Sequence, residues 1–514
     1  MELKRITLAV AIILAAPVAY ANPKPESAFG VQRLILSGSD TVDPFFENGI
    51  LRMLDPATIK TYRDKDTGIP YRHRAWYGIA RGGIPGVTAG TPLLFVKRST
   101  HYGSYLSSDF MWGVDVVARA SQIETLNFAS CTTGGAAAGD DGKVYDYFCA
   151  TKGLHPGSSS FKNPELNNGV PSDFGVSDVS PALFQAPYNI GRYQTGLPQA
   201  LLDNLAIKPV GALIMGIVAT NDVPLTTSIS RADYGNMLMG NIQDWTQIDP
   251  SLGGNTQVVV CRQASGSGTQ AAYNWFFNNF PCQSGFNGTQ APASMYADNA
   301  SGIVSGTGIE ADPFVIDPMQ GYTVVNNASS ADVRNCLKNA QNHTDLKIKD
   351  DNGKWYLTKF SNSVDPFKAI GVLSGDSYGN ESGWTFRNLY GAGSFTPGIQ
   401  AGSAGNTGIA PSKANLLSGT WDFAAELTTQ YRTVNVTNPQ GNVIPPLTGI
   451  KLAFAKELIR RSFSPGNGFW EIPRRNVFAA LPYDYYPFTS ITYEAHTALG
   501  GRKGNMCQPL ERKY

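Results

Sequence analysis

The chain of 514 residues carries 41 basic and 40 acidic residues, a formal charge of +1. That balance, with no basic tract, excludes binding driven by nucleic-acid phosphates, and 42% hydrophobic and 11% aromatic residues exclude a disordered chain. The length exceeds one ordinary core and predicts two or more lobes, while 54 glycines and 32 prolines predict extensive turn and loop.

Lys4 and Arg5 precede an apolar run over 8–16, and the stretch closes on Ala19-Tyr20-Ala21. This is the pattern of a cleaved secretory signal over 1–21, too short for a resident membrane helix. The expected product begins near Asn22, is periplasmic or secreted, and has no lipid anchor and no membrane span. Six cysteines suit that compartment and form up to three disulfides, with fifteen pairings open in principle. Loop length favours Cys131–Cys149 and Cys261–Cys282, leaving Cys336–Cys507.

In chain order, "VQRLILSGSDTVDPFF" predicts a buried strand at 34–36 entering a Ser/Gly loop, and "TPLLFVKRSTHYGS" repeats that plan from 93–96. "SDFGVSDVSPALF" places Asp178 in a third such loop. The unbroken apolar run "KPVGALIMGIVAT" predicts a strand buried on both faces. "RADYGNMLMGNIQDW" reads as an amphipathic helix, and "TQVVVCRQASGSGT" as a strand and loop feeding a helix over 270–280. Further on, "NNASSADVRNCLKNA" predicts a helix capped by Ser329 or Ser330. Asn352-Gly353 predicts a hairpin turn. Segments 391–419 and 434–449 read as long loops. Strands alternating with helices imply an α/β fold with mainly parallel sheets, and ligands in such folds sit beyond the strand C-termini.

"CRQASGSGTQAAYNWFF" carries the sharpest chemical signal. The first amides of a helix lack intrahelical partners and sit at the positive end of its dipole. Glycines allow close approach of an oxyanion, Ser267 and Thr269 add hydroxyls, and Arg262 adds a guanidinium. The ordinary alternative is a well-capped helix start.

In order and spacing, "FGVSDVSPALF", "VGALIMGIVATN", "DYGNMLMGNIQDW" and "VVVCRQASGSGTQAAYNWF", with "AIGVLSGDSYG" and "WEIPRRNVFAALPYDYY", resemble the phosphate-binding proteins of bacterial phosphate ABC transporters. The resemblance covers most of 31–490. It implies a type II periplasmic-binding-protein fold: two α/β lobes joined by two crossovers and closing on a ligand, here with long loop insertions. The lobes would be 22–212 plus 373–490, and 213–372, with 491–514 as a tail packed on the first lobe. It further implies an oxyanion, phosphate first, bound by Ser39, Thr41, Val42, Ser104, Asp178, Arg262, Ser267, Gly268 and Thr269, with Asp178 pairing with the arginine. An ABC permease is the implied partner, and no cofactor is implied. Two departures stand out. One extra residue separates Arg262 from Gly-Ser-Gly-Thr, and an acid usual in that loop is missing.

An enzyme finds little support. His73, His101, His155, His343 and His496 form no ligand-spaced pair, and "AGSAG" around Ser403 falls short of a nucleophile elbow. Asp43, Asp115, Asp140 and Asp141 read as solvated carboxylates. A phosphoester hydrolase therefore ranks below a second alternative, a secreted structural or adhesive protein on the same fold with cleft binding lost.

Overall fold

The computed structural model describes residues 30–40, 42–65, 71–100, 113–134, 143–153, 168–190, 196–282, 303–327, 329–349, 354–379, 381–390, 408–463, 477–478, 480–481, 498–502, 504–508 and 511–512. Segment 1–21, Thr41, Ser104, Asp140, Asp141, the Asn352-Gly353 turn and Ser403 lie outside them.

Strand β1 (Gln32–Gly38) buries Leu34 and Leu36 on one face and sets Arg33 and Ile35 on the other, as strand alternation requires. It leads into α1 (Asp43–Met53), whose Phe45, Phe46, Ile50 and Met53 are buried. Strands β2 (Lys60–Asp64), β3 (Tyr71–Ile79) and β4 (Pro92–Thr100) follow as an antiparallel series. Then come the short β5 (Thr132–Thr133) and β6 (Tyr147–Cys149), β7 (Phe174–Ser177), and the 16-residue β8 (Leu205–Thr220). Helix α2 (Arg231–Leu238) precedes β9 (Asn255–Gln263), α3 (Gly268–Asn278), β10 (Thr323–Asn327), α4 (Ser330–Gln341) and β11 (Phe367–Ser374). Strand β12 (Ala424–Arg432) and α5 (Gly449–Phe463), which packs against α1, complete the frame.

Most of these strands join one sheet of 14, ordered β10-β9-β11-β8-β12-β7-β1-β4-β3-β2-β6-β5 along its main path. The chain is α/β, as expected, but the sheet is mixed rather than mainly parallel. Parallel pairs (β1 with β4 and β7, β9 with β10 and β11) flank antiparallel ones around β8. The link from β2 to β3 is too short for a crossover helix, and β3 and β4 also pair antiparallel. Strand β8 pairs with β12 from Leu205 to Ile214 and with β11 from Met215 to Ala219. It thus runs, with one bulge between Pro209 and Gly211, from the β1 half of the sheet to the β9 half.

Several local expectations hold. Ser329 caps α4 by accepting from the Asp332 amide, and Leu346–Lys349 pairs antiparallel with Trp355–Thr358 across the expected turn. Others shift. Helix α2 stops at Leu238 instead of running to Trp245, because Gly240 turns the chain away at φ +72°. Segment 391–419 holds a helix, Lys413–Ser418, closed by Gly419 at φ +77°. Among the described residues no helix is long and apolar enough to cross a membrane.

The disulfides are Cys131–Cys149, Cys261–Cys336 and Cys282–Cys507. The first is the expected pair; the other two correct Cys261–Cys282 and Cys336–Cys507. In β9, Val259 and Cys261 share the face on which α4 packs, so Cys261 meets Cys336. Cys282, beyond the other end of α3, is left to the C-terminal segment.

Asp43 and Asp115 are not solvated carboxylates. Asp43 is 4% exposed and ion-paired with Lys97. Asp115 binds Arg119 at 2.7 Å, and burial drives its carboxyl up despite that arginine.

Candidate functional site

The ends of β1, β7 and β9 bring Ser39, Asp178 and the start of α3 together. The Ser39 hydroxyl donates to the Asp178 carboxylate. A Cβ on Gly268 would stand 3.1 Å from the Cβ of Asp178 and 3.6 Å from its Oδ2. Glycine there lets a carboxylate lie against the first turn of α3, where amide donors and dipole favour negative charge. Ser267 caps α3, its oxygen 3.4 Å from the Gln270 amide, and its hydroxyl also donates to Gln263 Oε1. Ser39, Ser267, Gly268 and Thr269 are buried; Asp178 is half-buried.

A second layer braces the first loop. Lys97 Nζ donates to the Ser39 carbonyl at 2.8 Å, to Ser99 Oγ at 2.7 Å and to the Asp43 carboxylate. Ser99 also donates to Asp43 at 2.8 Å, and Arg74 approaches it at 3.4 Å. Burial pushes the Asp43 carboxyl up, but Lys97 and Arg74 outweigh it and hold it below the usual carboxylate range. Val42, buried, is the N-cap position of α1 and accepts from the Phe45 and Phe46 amides.

Arg262 lies elsewhere in the local geometry. Successive strand residues point to opposite faces. Gln263 donates to Ser330 Oγ at 2.8 Å and accepts from Ser267, so the starts of α3 and α4 meet on Gln263. Arg262 shares the parity of Val258 and Val260, on the α3 face. There its Nε donates to Asn326 Oδ1 at 2.7 Å. It is 7% exposed and has no ion pair among the described residues, Asp178 included. The expected Asp178–arginine pair is therefore not formed.

Three phenols lie within electrostatic reach of this cation. Burial raises Tyr234 and Tyr322 well above the ordinary phenol, and pushes Tyr273 up to about 12, with Arg262 opposing the rise in each. Tyr273 donates to the Gln263 carbonyl at 3.0 Å and Tyr322 to the Met237 carbonyl at 2.6 Å. The fully buried Tyr234 hydroxyl has no partner among the described residues. The structure thus forms one cluster of Ser39, Asp178, Ser267 and Gly268, with Thr269 next in α3, and sets Arg262 on the other face of β9 within electrostatic reach of three phenols. Sequence reasoning missed Gln263, Asn326, Lys97 and the tyrosines. The alternation in "VVVCRQ" carries the signal for Gln263, which shares the strand face of Val259 and Cys261 and not that of Arg262.

Among the described residues no group of three His, Cys, Asp or Glu side chains is arranged to hold a metal. No family model matches the chain, and no curated protein matches it. Its structure is similar to several solved phosphate-binding proteins. The ancestral soluble variant of the Human Phosphate Binding Protein is 13% identical, with 65% of this chain and 84% of that one covered at a TM-score of 0.37. PstS from Borrelia burgdorferi is 11% identical, with 78% and 87% covered at 0.31. An ABC-type phosphate transport receptor from Vibrio cholerae is 14% identical, with 56% and 73% covered at 0.27. Likenesses this distant say nothing of what this chain binds.

Proposed function

We propose that this chain is an exported, non-enzymatic solute-binding protein that takes a small oxyanion, phosphate first, beside the start of α3. Delivery to an ABC permease is part of the same reading, and the signal-like segment 1–21 supports export. The observation that supports it most is Arg262, a 7% exposed cation with no carboxylate partner among the described residues. An unpaired buried charge is costly, so such a group calls for an anion. The unpartnered Tyr234 hydroxyl, within electrostatic reach of Arg262, is a neutral donor for the same anion, and the first amides of α3 are further donors. Asp178 is able to accept from a protonated oxyanion, a property that favours phosphate over sulfate.

The test is calorimetric titration of the chain with phosphate and with sulfate. Phosphate is expected to bind, and Arg262→Ala to weaken it roughly a hundredfold, the scale of a lost hydrogen bond to a charged group. Retained affinity in that variant overturns the assignment of Arg262.

A specific observation favours a second reading, a structural or adhesive protein without cleft binding. Asp178 already lies against Gly268, and ten of the eleven residues of α3 are buried. A flat titration with both anions, and no rise in melting temperature, decides for that reading.

A further inference from the structure

The excursion between β4 and β7 builds something the oxyanion cleft does not use. Its chain pairs Thr125 and Leu126 with Thr151 and Lys152, and Gln122 and Ile123 with Val170 and Pro171. The Cys131–Cys149 disulfide staples it. It covers the sheet face formed by Tyr62, Ala75, Leu94 and Val96, away from α1.

Where this cover meets β1, a cavity of about 230 Å³ remains. Its floor is apolar, made by Ile35, Val170 and Pro171, with the buried Val96, Leu126 and Phe128 closing it beneath. Its polar lining is mainly cationic: Arg33, Lys152 and Lys451 against one carboxylate, Asp173. That carboxylate is already engaged, accepting from the Ile35 amide and from Lys451, each at 3.0 Å. Arg33 is exposed and has no ion pair among the described residues.

We infer that this cavity is a second binding site, for a small organic monoanion with an apolar body, such as an aryl- or short alkyl-carboxylate. Size, floor and charge each narrow the ligand. A dry cavity of about 150 Å³ accepts benzene, so about 230 Å³ holds a ring with a short chain. The apolar floor disfavours a bare inorganic anion, which would lose hydration with nothing to replace it. With Asp173 taken by Lys451, Arg33 at the rim, unpaired among the described residues, disfavours a neutral or cationic ligand. The ring would lie on Ile35 and Pro171, with the carboxylate at the open rim beside Arg33, where a guanidinium fork matches it.

The experiment is calorimetry on the full-length chain, disulfides intact, with 3-phenylpropionate and its uncharged counterpart 3-phenylpropan-1-ol. The acid is expected to bind with one site, and the alcohol at least tenfold more weakly. Leu126→Trp fills the cavity and is expected to abolish binding. Because a core substitution risks the fold, Arg33→Glu at the exposed rim is the second variant; it should weaken the acid at least tenfold at an unchanged melting temperature. Saturating phosphate should leave the acid's affinity unaltered. No binding at millimolar concentration, equal binding of acid and alcohol, indifference to Arg33→Glu, or displacement by phosphate would each overturn the proposal.

Discussion

Asp43 shows how one carboxylate becomes structural. It sits in the first turn of α1, where the helix dipole favours it, and takes Lys97, Ser99 and Arg74 as partners while 4% exposed. Removing one member of a buried pair leaves the other charge unmatched, a loss of about 3–5 kcal/mol. Asp43→Asn is therefore expected to destabilise the chain by that order at neutral pH. The sign of the pH dependence follows from a folded pKa held below the ordinary value. Asp43 contributes stability above its unfolded pKa, about 3.9, and that contribution is lost as pH falls through the lower folded value. Urea midpoints should thus differ most between wild type and Asp43→Asn at pH 7 and converge toward pH 3. A gap that is the same at every pH would show that the ionised pair is not what stabilises the loop.

At the scale of elements, α3 ties capping to the site. Ser267→Ala removes the N-cap and the hydroxyl bound by Gln263. The expected cost is about 1 kcal/mol, the ordinary worth of a cap, read as a shift of the denaturation midpoint. A shift below a few tenths would mean that Gln263 and the loop backbone hold the helix start without Ser267. The sequence made such elements legible where the signal is local. The cap of α4 at Ser329 or Ser330, the buried β8 and the strand before Asp178 were all open to view in residues a few positions apart. What escaped depends on long-range packing. That Gln263 rather than Arg262 faces Ser267 depends on which face of β9 receives α4, and the same choice pairs Cys261 with Cys336. Asp43 read as solvated because its partners Arg74 and Lys97 come from strands far along the chain.

On the scale of the whole molecule, the C-terminal segment acts as a strap. Cys507 bonds to Cys282 beyond α3, while the amides of Arg502 and Gly504 both bind the Glu426 carboxylate on β12 and Ser180 donates to the Gly504 carbonyl. The Arg502 guanidinium also lies 4.7 Å from the Trp275 ring on α3. The strap therefore grips elements from both halves of the sheet. A link closing 225 residues restricts the unfolded chain by about 5 kcal/mol in the chain-entropy model. Cys507→Ser with Cys282→Ser should lower the melting temperature and raise amide exchange at Arg502 and Gly504. An unchanged melting temperature would show that the non-covalent grip suffices.

The same connectivity bears on biogenesis. As the chain emerges, Cys261 and Cys282 appear before either of their partners, Cys336 and Cys507. Once Cys131 and Cys149 have paired, the first oxidation available to these two thiols is with each other, and that bond is absent from the final structure. Oxidative refolding is therefore expected to give more native protein with a disulfide isomerase than with an oxidant alone, and equal yields would show that Cys261 and Cys282 wait for their partners.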